Sequence, residues 1–218
     1  MGRRAIHTEE SILDAARILV LDGGARAATL KAIVNASGAP KGSLYHRFAS
    51  LNDLLAEVWM RAARRSQTAF INALQQEDPR EAAISAALSI YDFAVKEPRD
   101  ARLLVSLRRE DLVGVVASAR LRKELAGLNR PLAEALQVAI GHLLPRVTPA
   151  GAEQIMFAVI DLPMGAVRRH LIAAKPPPPA LRPQLEVAVR AALEHAGVAP
   201  QRKQVRHSLV SPSHGSFE

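Results

Sequence analysis

The chain contains no cysteine in its 218 residues, which excludes a disulfide framework, a thiolate zinc site and a cysteine nucleophile. A cysteine-free chain fits a reducing cytoplasm, the expected location. Aromatic residues are scarce, at 4%. Runs of β-branched residues are few, while Ala, Leu, Arg and Glu dominate, which is the usage of helices rather than sheets. The expected fold class is therefore all-α. No apolar run approaches the roughly 18 uninterrupted residues that a membrane span needs, and Met1 to Glu10 is polar. Neither export nor a membrane partner is expected. His-Glu-x-x-His spacing, a phosphate loop and a Gly-x-Ser-x-Gly elbow are also missing. The seven His are scattered, so no metal, cofactor or catalytic residue is assigned, and an enzyme is the rival class that the motifs disfavour.

What the chain does have is positive charge and apolar mass. Lys and Arg number 29 against 21 Asp and Glu, a formal net charge of +8 and an isoelectric point near 10.5. Such a balance suits a polyanionic partner, because neutralising phosphates releases counterions. A hydrophobic share of 49% is ample for a buried core.

Thr8 is placed to cap a first helix, with Glu9 and Glu10 in the turn where the helix dipole favours anions. Ile12, Leu13, Ala16, Leu19 and Val20 then recur at helical spacing until Gly23-Gly24 stops them. Thr29 caps a short second helix, with Leu30, Ile33 and Val34 on one side, closed by Ser37-Gly38. Pro40 opens a third, where its missing amide proton costs nothing. From Leu51 to about Gln76 a longer amphipathic helix runs without Pro or Gly, its buried side marked by Leu54, Val58, Trp59, Ala62 and Phe70.

Further helices are expected at about 79–96, 99–107, 118–144, 151–174 and 181–195, with Pro131 and Pro163 breaking or kinking two of them. Arg108-Arg109-Glu110-Asp111 reads as a solvated, ion-paired turn. Lys175 to Ala180 holds four consecutive prolines, a rigid extended spacer in preference to an SH3-type ligand. From Pro200 to Glu218 apolar periodicity fades and a disordered basic tail is expected. Its Arg202, Lys203 and Arg206 fit a solvated tail better than a DNA contact.

The informative stretch is Ala28 to Phe48, where one helix ends and another begins within four residues, the geometry of a helix-turn-helix. Leu44 and Phe48 form an i, i+4 pair that anchors the second helix inward and leaves Lys41, Gly42, Ser43, Tyr45 and His46 outward. Lys41 offers a charge to phosphate or guanine, Ser43 a hydroxyl to base or phosphate, and Tyr45 and His46 donors to phosphate. Gly42 costs about 1 kcal/mol of helix propensity against Ala. That fits a backbone that must approach DNA closely; a loosened first turn is the bland alternative.

The run Lys41-Gly42-Ser43-Leu44-Tyr45-His46-Arg47-Phe48 resembles the reading head of the tetracycline-repressor (TetR) family, and the likeness covers about Thr8 to Val58. The resemblance implies an obligate homodimer and a recognition helix in the major groove. It also implies a larger C-terminal domain whose small-molecule effector weakens DNA binding. It marks Thr29 and Lys31 as backbone contacts and Lys41, Gly42, Ser43, Tyr45 and His46 as the DNA face. Two positions depart from the family pattern. Pro40 stands where a capping Ser is frequent, so the cap must come from elsewhere. Ser50-Leu51-Asn52-Asp53 lacks a phosphate-contacting Lys, for which Arg47, or Arg3 and Arg4, would compensate.

The C-terminal half offers Tyr91, Phe93, Met156, Phe157, Asp161, Met164 and His170 as candidate lining of an effector cavity, with core packing the competing reading for each. Ile155, Val159, Ile160 and Val167 on one late helix, and Leu185, Val189 and Leu193 on the last, suit either a four-helix interface with a second copy or the internal core. Periodicity does not separate these two. The expected organisation is a helix-turn-helix domain at 1–50, a helical ligand-binding and dimerisation domain at 51–198 and the tail at 199–218. The expected function is a dimeric, sequence-specific regulator, a repressor released from an inverted-repeat double-stranded DNA operator by a small-molecule effector. The alternatives are a helical ligand-binding protein or enzyme, and a non-specific architectural DNA binder, which the large apolar C-terminal half argues against.

Overall fold

Helix boundaries follow the caps. In the structure, a computed structural model, residues 8–198 are described; Arg3, Arg4 and the tail with Arg202, Lys203 and Arg206 lie outside the described residues. The helices are α1 (Glu9–Gly23), α2 (Leu30–Ser37), α3 (Lys41–Arg47), α4 (Leu51–Ala73), α5 (Pro79–Lys96), α6 (Pro98–Ser106), α7 (Arg109–Val113), α8 (Ala119–Gly127), α9 (Arg130–Leu143), α10 (Pro149–Met156), α11 (Leu162–Ile172) and α12 (Leu181–His195). No strand occurs among the described residues, so the chain is all-α. Thr8, Thr29, Ser50, Asp78, Ser118 and Thr148 each accept from first-turn amides of the helix they precede, satisfying donors that have no partner within the helix. Gly24 and Gly38 close α1 and α2 at φ 75° and 67°, the left-handed region where a side chain is strained.

The helix expected over 118–144 is broken at Pro131 as expected: the chain interrupts at Leu128-Asn129 and Pro131 sits in the first turn of α9, where a proline is tolerated. Two expectations change. Pro163 neither breaks nor sharply ends its helix. A five-residue π turn, Phe157–Asp161, joins α10 to α11 and makes one rod of Pro149–Ile172. The wider turn falls around the carbonyls that Pro163 has no amide to serve, and it shifts the helical phase by one residue. The Arg108 to Asp111 segment, expected as a turn, contributes to the one-turn helix α7. The proline connector is non-helical over 175–178, turns at 179–180 into α12 and is docked, since Pro177 is buried and the Tyr91 hydroxyl donates to the Pro178 carbonyl at 3.1 Å.

Apolar side chains gather in two clusters. One joins α1–α3 and the first half of α4 through Ile12, Ile33, Leu44 and Leu54, and it continues into Leu103, Leu112, Leu121 and Leu125. The other holds Phe70, Ile84, Tyr91, Ile140, Ile155, Val159, Val189 and Leu193. Between them lies a buried ion pair, Arg17 of α1 with Asp100 of α6. Asp100 is only 1% exposed and takes a second cation, Arg65 of α4, at 3.0 Å. Removing either partner of such a pair would strand a charge away from water, so α1, α4 and α6 are held together at this point.

Candidate nucleic-acid interface

The turn between α2 and α3 is fixed locally. Gly38 donates its N–H to the Val34 carbonyl at 2.9 Å, and the Ser37 hydroxyl donates to the Ile33 carbonyl at 2.7 Å while accepting from the Ala39 N–H at 3.3 Å. Ala39 is buried, and Pro40 starts α3 with no side-chain cap. The substitute cap that Pro40 demanded is therefore a backbone one, the Ser43 N–H donating to the Pro40 carbonyl at 2.9 Å.

Two faces of α3 are cleanly divided. Leu44 and Phe48 are buried in the first cluster. Lys41, Gly42, Tyr45, His46 and Arg47 are exposed and Ser43 is half-buried. Tyr45, at 54% exposure, holds its ring outside the fold, with the Lys41 ammonium 5.8 Å from the ring centre, a cation–π contact that steers both side chains. A Cβ built on Gly42 meets nothing within 4 Å, so nothing inside the chain requires glycine there. At the start of α2, Thr29 and Lys31 are exposed, and the Thr29 hydroxyl accepts from the Ala32 N–H at 3.2 Å.

Asn52 and Asp53, where the sequence departs from the family pattern, face inward to a loop. The Asp53 carboxylate accepts from the N–H groups of Ala117 and Ser118 at 2.8 and 3.3 Å, and the Asn52 amide donates to the Val115 carbonyl at 3.3 Å. The Arg122 guanidinium holds the carbonyls of Val116 and Ala117, each at 2.8 Å. Beyond that loop, α8 is tied along α4 by Arg120 to Glu57 at 3.1 Å and by Arg64 to Glu124 at 2.9 Å. Burial pushes the Glu57 carboxyl above its ordinary value of 4.5, against the pull of the Arg120 hydrogen bond. The contacts between α4 and the segment 115–124 escaped sequence reasoning, because nothing local marks a partner 60 or more residues away.

The seven effector-site candidates do not converge on one cavity. Phe93 and Met164 share a small apolar space of about 30 Å³ among α4, α5, α6 and α11, far below the few hundred Å³ that a drug-sized ligand occupies. Tyr91 is buried beneath the proline connector. Met156 is half-buried, Phe157 and Asp161 point to solvent, and the His170 imidazole lies beside Arg169 at 3.1 Å. As for the helices that suit either an interface or a core, Ile155, Val159, Val167, Leu185, Val189 and Leu193 lie in the internal core, with Ile160 packed against it. The large apolar residues left outside are Phe157, Met164, Ile172 and Val187, at 53%, 37%, 64% and 70% exposure.

A short helix anchored on one side by its own domain and offering Lys, Tyr, His and Arg on the other defines a helix-turn-helix DNA-binding protein. Its sequence agrees, residues 12–58 matching the family described as bacterial regulatory proteins, tetR family. Over that reading head the chain is similar to the TetR family. No curated protein matches the chain in sequence. Solved structures carry the likeness further as fold. The TetR-family regulator PfmR from Thermus thermophilus is 19% identical, with a TM-score of 0.60 over 88% of this chain and 99% of its own. A TetR-family regulator from Marinobacter aquaeolei is 16% identical, with a TM-score of 0.64 over 85% and 93%. The fatty acid degradation regulator FadR from Bacillus halodurans is 15% identical, with a TM-score of 0.62 over 88% and 97%. Reading head and fold together are those of helix-turn-helix transcriptional regulators.

Proposed function

We propose that the chain works in the cytoplasm as a homodimer without catalytic activity, binding an inverted-repeat operator and acting as a repressor until a small molecule occupies the region 51–198. Residues 1–50 read the DNA. Lys41, Gly42, Ser43, Tyr45 and His46 face the major groove, while Thr29, Lys31 and Arg47 hold phosphates. The observation that carries this reading is the division of α3, whose large apolar side chain Leu44 is spent inward with Phe48 and whose Lys41, Tyr45, His46 and Arg47 side chains are outward. Two heads then meet half-sites about 34–36 Å apart.

The second copy is supported by the apolar residues that the fold leaves exposed on the rod Pro149–Ile172 and on α12. By length and hydropathy alone that rod also passes for a membrane span. A span fits it poorly, because Ile155, Val159, Val167 and Leu171 are packed in the core and Glu153, Asp161, Arg168 and Arg169 are exposed along it. The test is a selection of bound sequences from random duplex, followed by competition of the selected site against random DNA at fixed salt. Preference for a palindromic site by roughly a thousandfold or more supports the reading, and equal affinity overturns it in favour of an architectural binder.

A further inference from the structure

With the central seam closed, the open hollows of the C-terminal half decide where a ligand fits. One, of about 530 Å³, lies between α4 and α5 and is walled by Arg65, Lys96, Asp92 and Glu97. Its charges cancel, and Asp92 is already taken by Arg182 at 2.9 Å, so it favours neither sign of ligand. A second, of about 300 Å³, lies between α4, α8 and the start of α9, where Arg64 and Glu124 pair with each other at 2.9 Å; a third, of about 570 Å³, is a groove between the turn from α4 to α5 and the outer side of α9. That volume is within the range of drug-sized ligand sites. Its walls are apolar, with Ile71 and Leu74 on one side and Val138 and Ala139 on the other. Val138 stands 60% exposed over it, large apolar surface left to water in a helix that buries only Leu136, Ile140 and Leu143.

The formal charges of this groove are of one sign. Glu77 and Glu134 carry the only formal charges on its lining, beside the neutral amides of Gln75 and Gln76 and the imidazole of His142. No Lys or Arg lines it, although the chain carries eight more positive than negative charges. Glu134 meets only the largely exposed Arg130, at 3.7 Å, a pairing of little worth in water. An apolar anion would lack a counter-charge here, and a neutral molecule would leave the carboxylates unused.

We propose that this groove is the effector site and that its ligand is an apolar organic cation, with rings or alkyl groups between α9 and the α4–α5 turn and its charge facing Glu77 and Glu134. The release of DNA rests on the effector-responsive reading above; the binding itself does not. A ligand seated there pushes on α9 next to Pro131. From that point α8 leads back along α4 to the loop held by Asp53.

Titration calorimetry of the full chain tests this with tetraphenylphosphonium, a rigid apolar cation, and triphenylphosphine oxide, a neutral compound of similar shape. One phosphonium per chain, bound roughly tenfold or more tighter than the oxide, is expected. Glu77→Gln with Glu134→Gln should remove that preference, and Val138→Arg, at an exposed position, should abolish binding with the fold unchanged by circular dichroism. Equal affinity for the oxide, an absence of phosphonium binding, or wild-type affinity in V138R would overturn the proposal. Operator binding followed in parallel separates the two readings. Binding that V138R abolishes, without operator release at saturation, keeps the cation site and overturns only its role as effector site; a protein that never binds DNA overturns the regulator reading without touching the groove.

Discussion

The outer face of α3 and the outer face of the rod Pro149–Ile172 with α12 are both left uncovered by the fold, and they are opposites in chemistry. The first presents Lys41, Tyr45, His46 and Arg47, exposed side chains whose hydrogen-bonding groups suit phosphates and bases. The second presents Phe157, Met164, Ile172 and Val187, which gain only by leaving water. A single chain thus exposes one surface suited to a charged polymer and one suited to an apolar surface like itself. The contrast teaches that exposure alone marks neither function; the chemistry of the exposed atoms does.

Five substitutions break or sharpen this contrast. Leu44→Ala, on the buried side of α3, should cost the most, about 2–5 kcal/mol, read as a lowered urea midpoint together with loss of operator binding. Next, Phe157→Glu should place a charge in the face assigned to the second copy. It should weaken dimerisation roughly a hundredfold, about 2.7 kcal/mol, in sedimentation, while far-ultraviolet dichroism is unchanged. A dimer of unaltered strength would remove this face from the interface.

Lys41→Ala and Tyr45→Ala should each weaken operator binding by about 1–3 kcal/mol without altering dimerisation or stability. If Lys41 serves a phosphate, its loss also lowers the slope of log affinity against log salt by about 1. The smallest effect belongs to Arg190, which lies on α12 with Val187 but turns inward to Glu81 of α5 at 2.6 Å. The Arg190 hydrogen bond holds the Glu81 carboxyl below its ordinary value of 4.5. The associated stability is therefore complete above that pH and fades as pH falls through the lowered value. Both partners are partly exposed, so Arg190→Ala should cost below about 1 kcal/mol at pH 7. That cost should shrink on acidification in thermal melts, and dimerisation should be untouched.

How far the sequence could be read depends on how local the signal is. Thr29, Gly38, Leu44 and Phe48 act within one or two turns of their own position, and the reading head is legible from them. Pro131 likewise announces the start of α9. The asymmetry of the late helices is not legible, because Ile155, Val159 and Val167 are as apolar as the exposed Phe157, Met164 and Ile172. A π turn between the two sets also shifts the phase by which a periodic reading would sort them. The pair Arg17–Asp100 spans 83 residues and the bond from Ala117 to Asp53 spans 64. Contacts of that range leave no periodic trace. The proposed effector groove is the hardest part to read, since a pocket wall and a core wall use the same residues.

The cluster around α3 carries a consequence for engineering. Ile12, Ile33, Leu44 and Leu54 share their core with Leu103, Leu112, Leu121 and Leu125, and Asp53 receives its bonds from Ala117 and Ser118. A chimera that exchanged only the first fifty residues for those of another regulator would set a foreign surface against leucines shaped to this one. The portable specificity cassette of this chain is discontinuous. It comprises the three short helices, the first half of α4 and the segment from Leu103 to Leu128, which must travel together for a transplanted head to keep its aim.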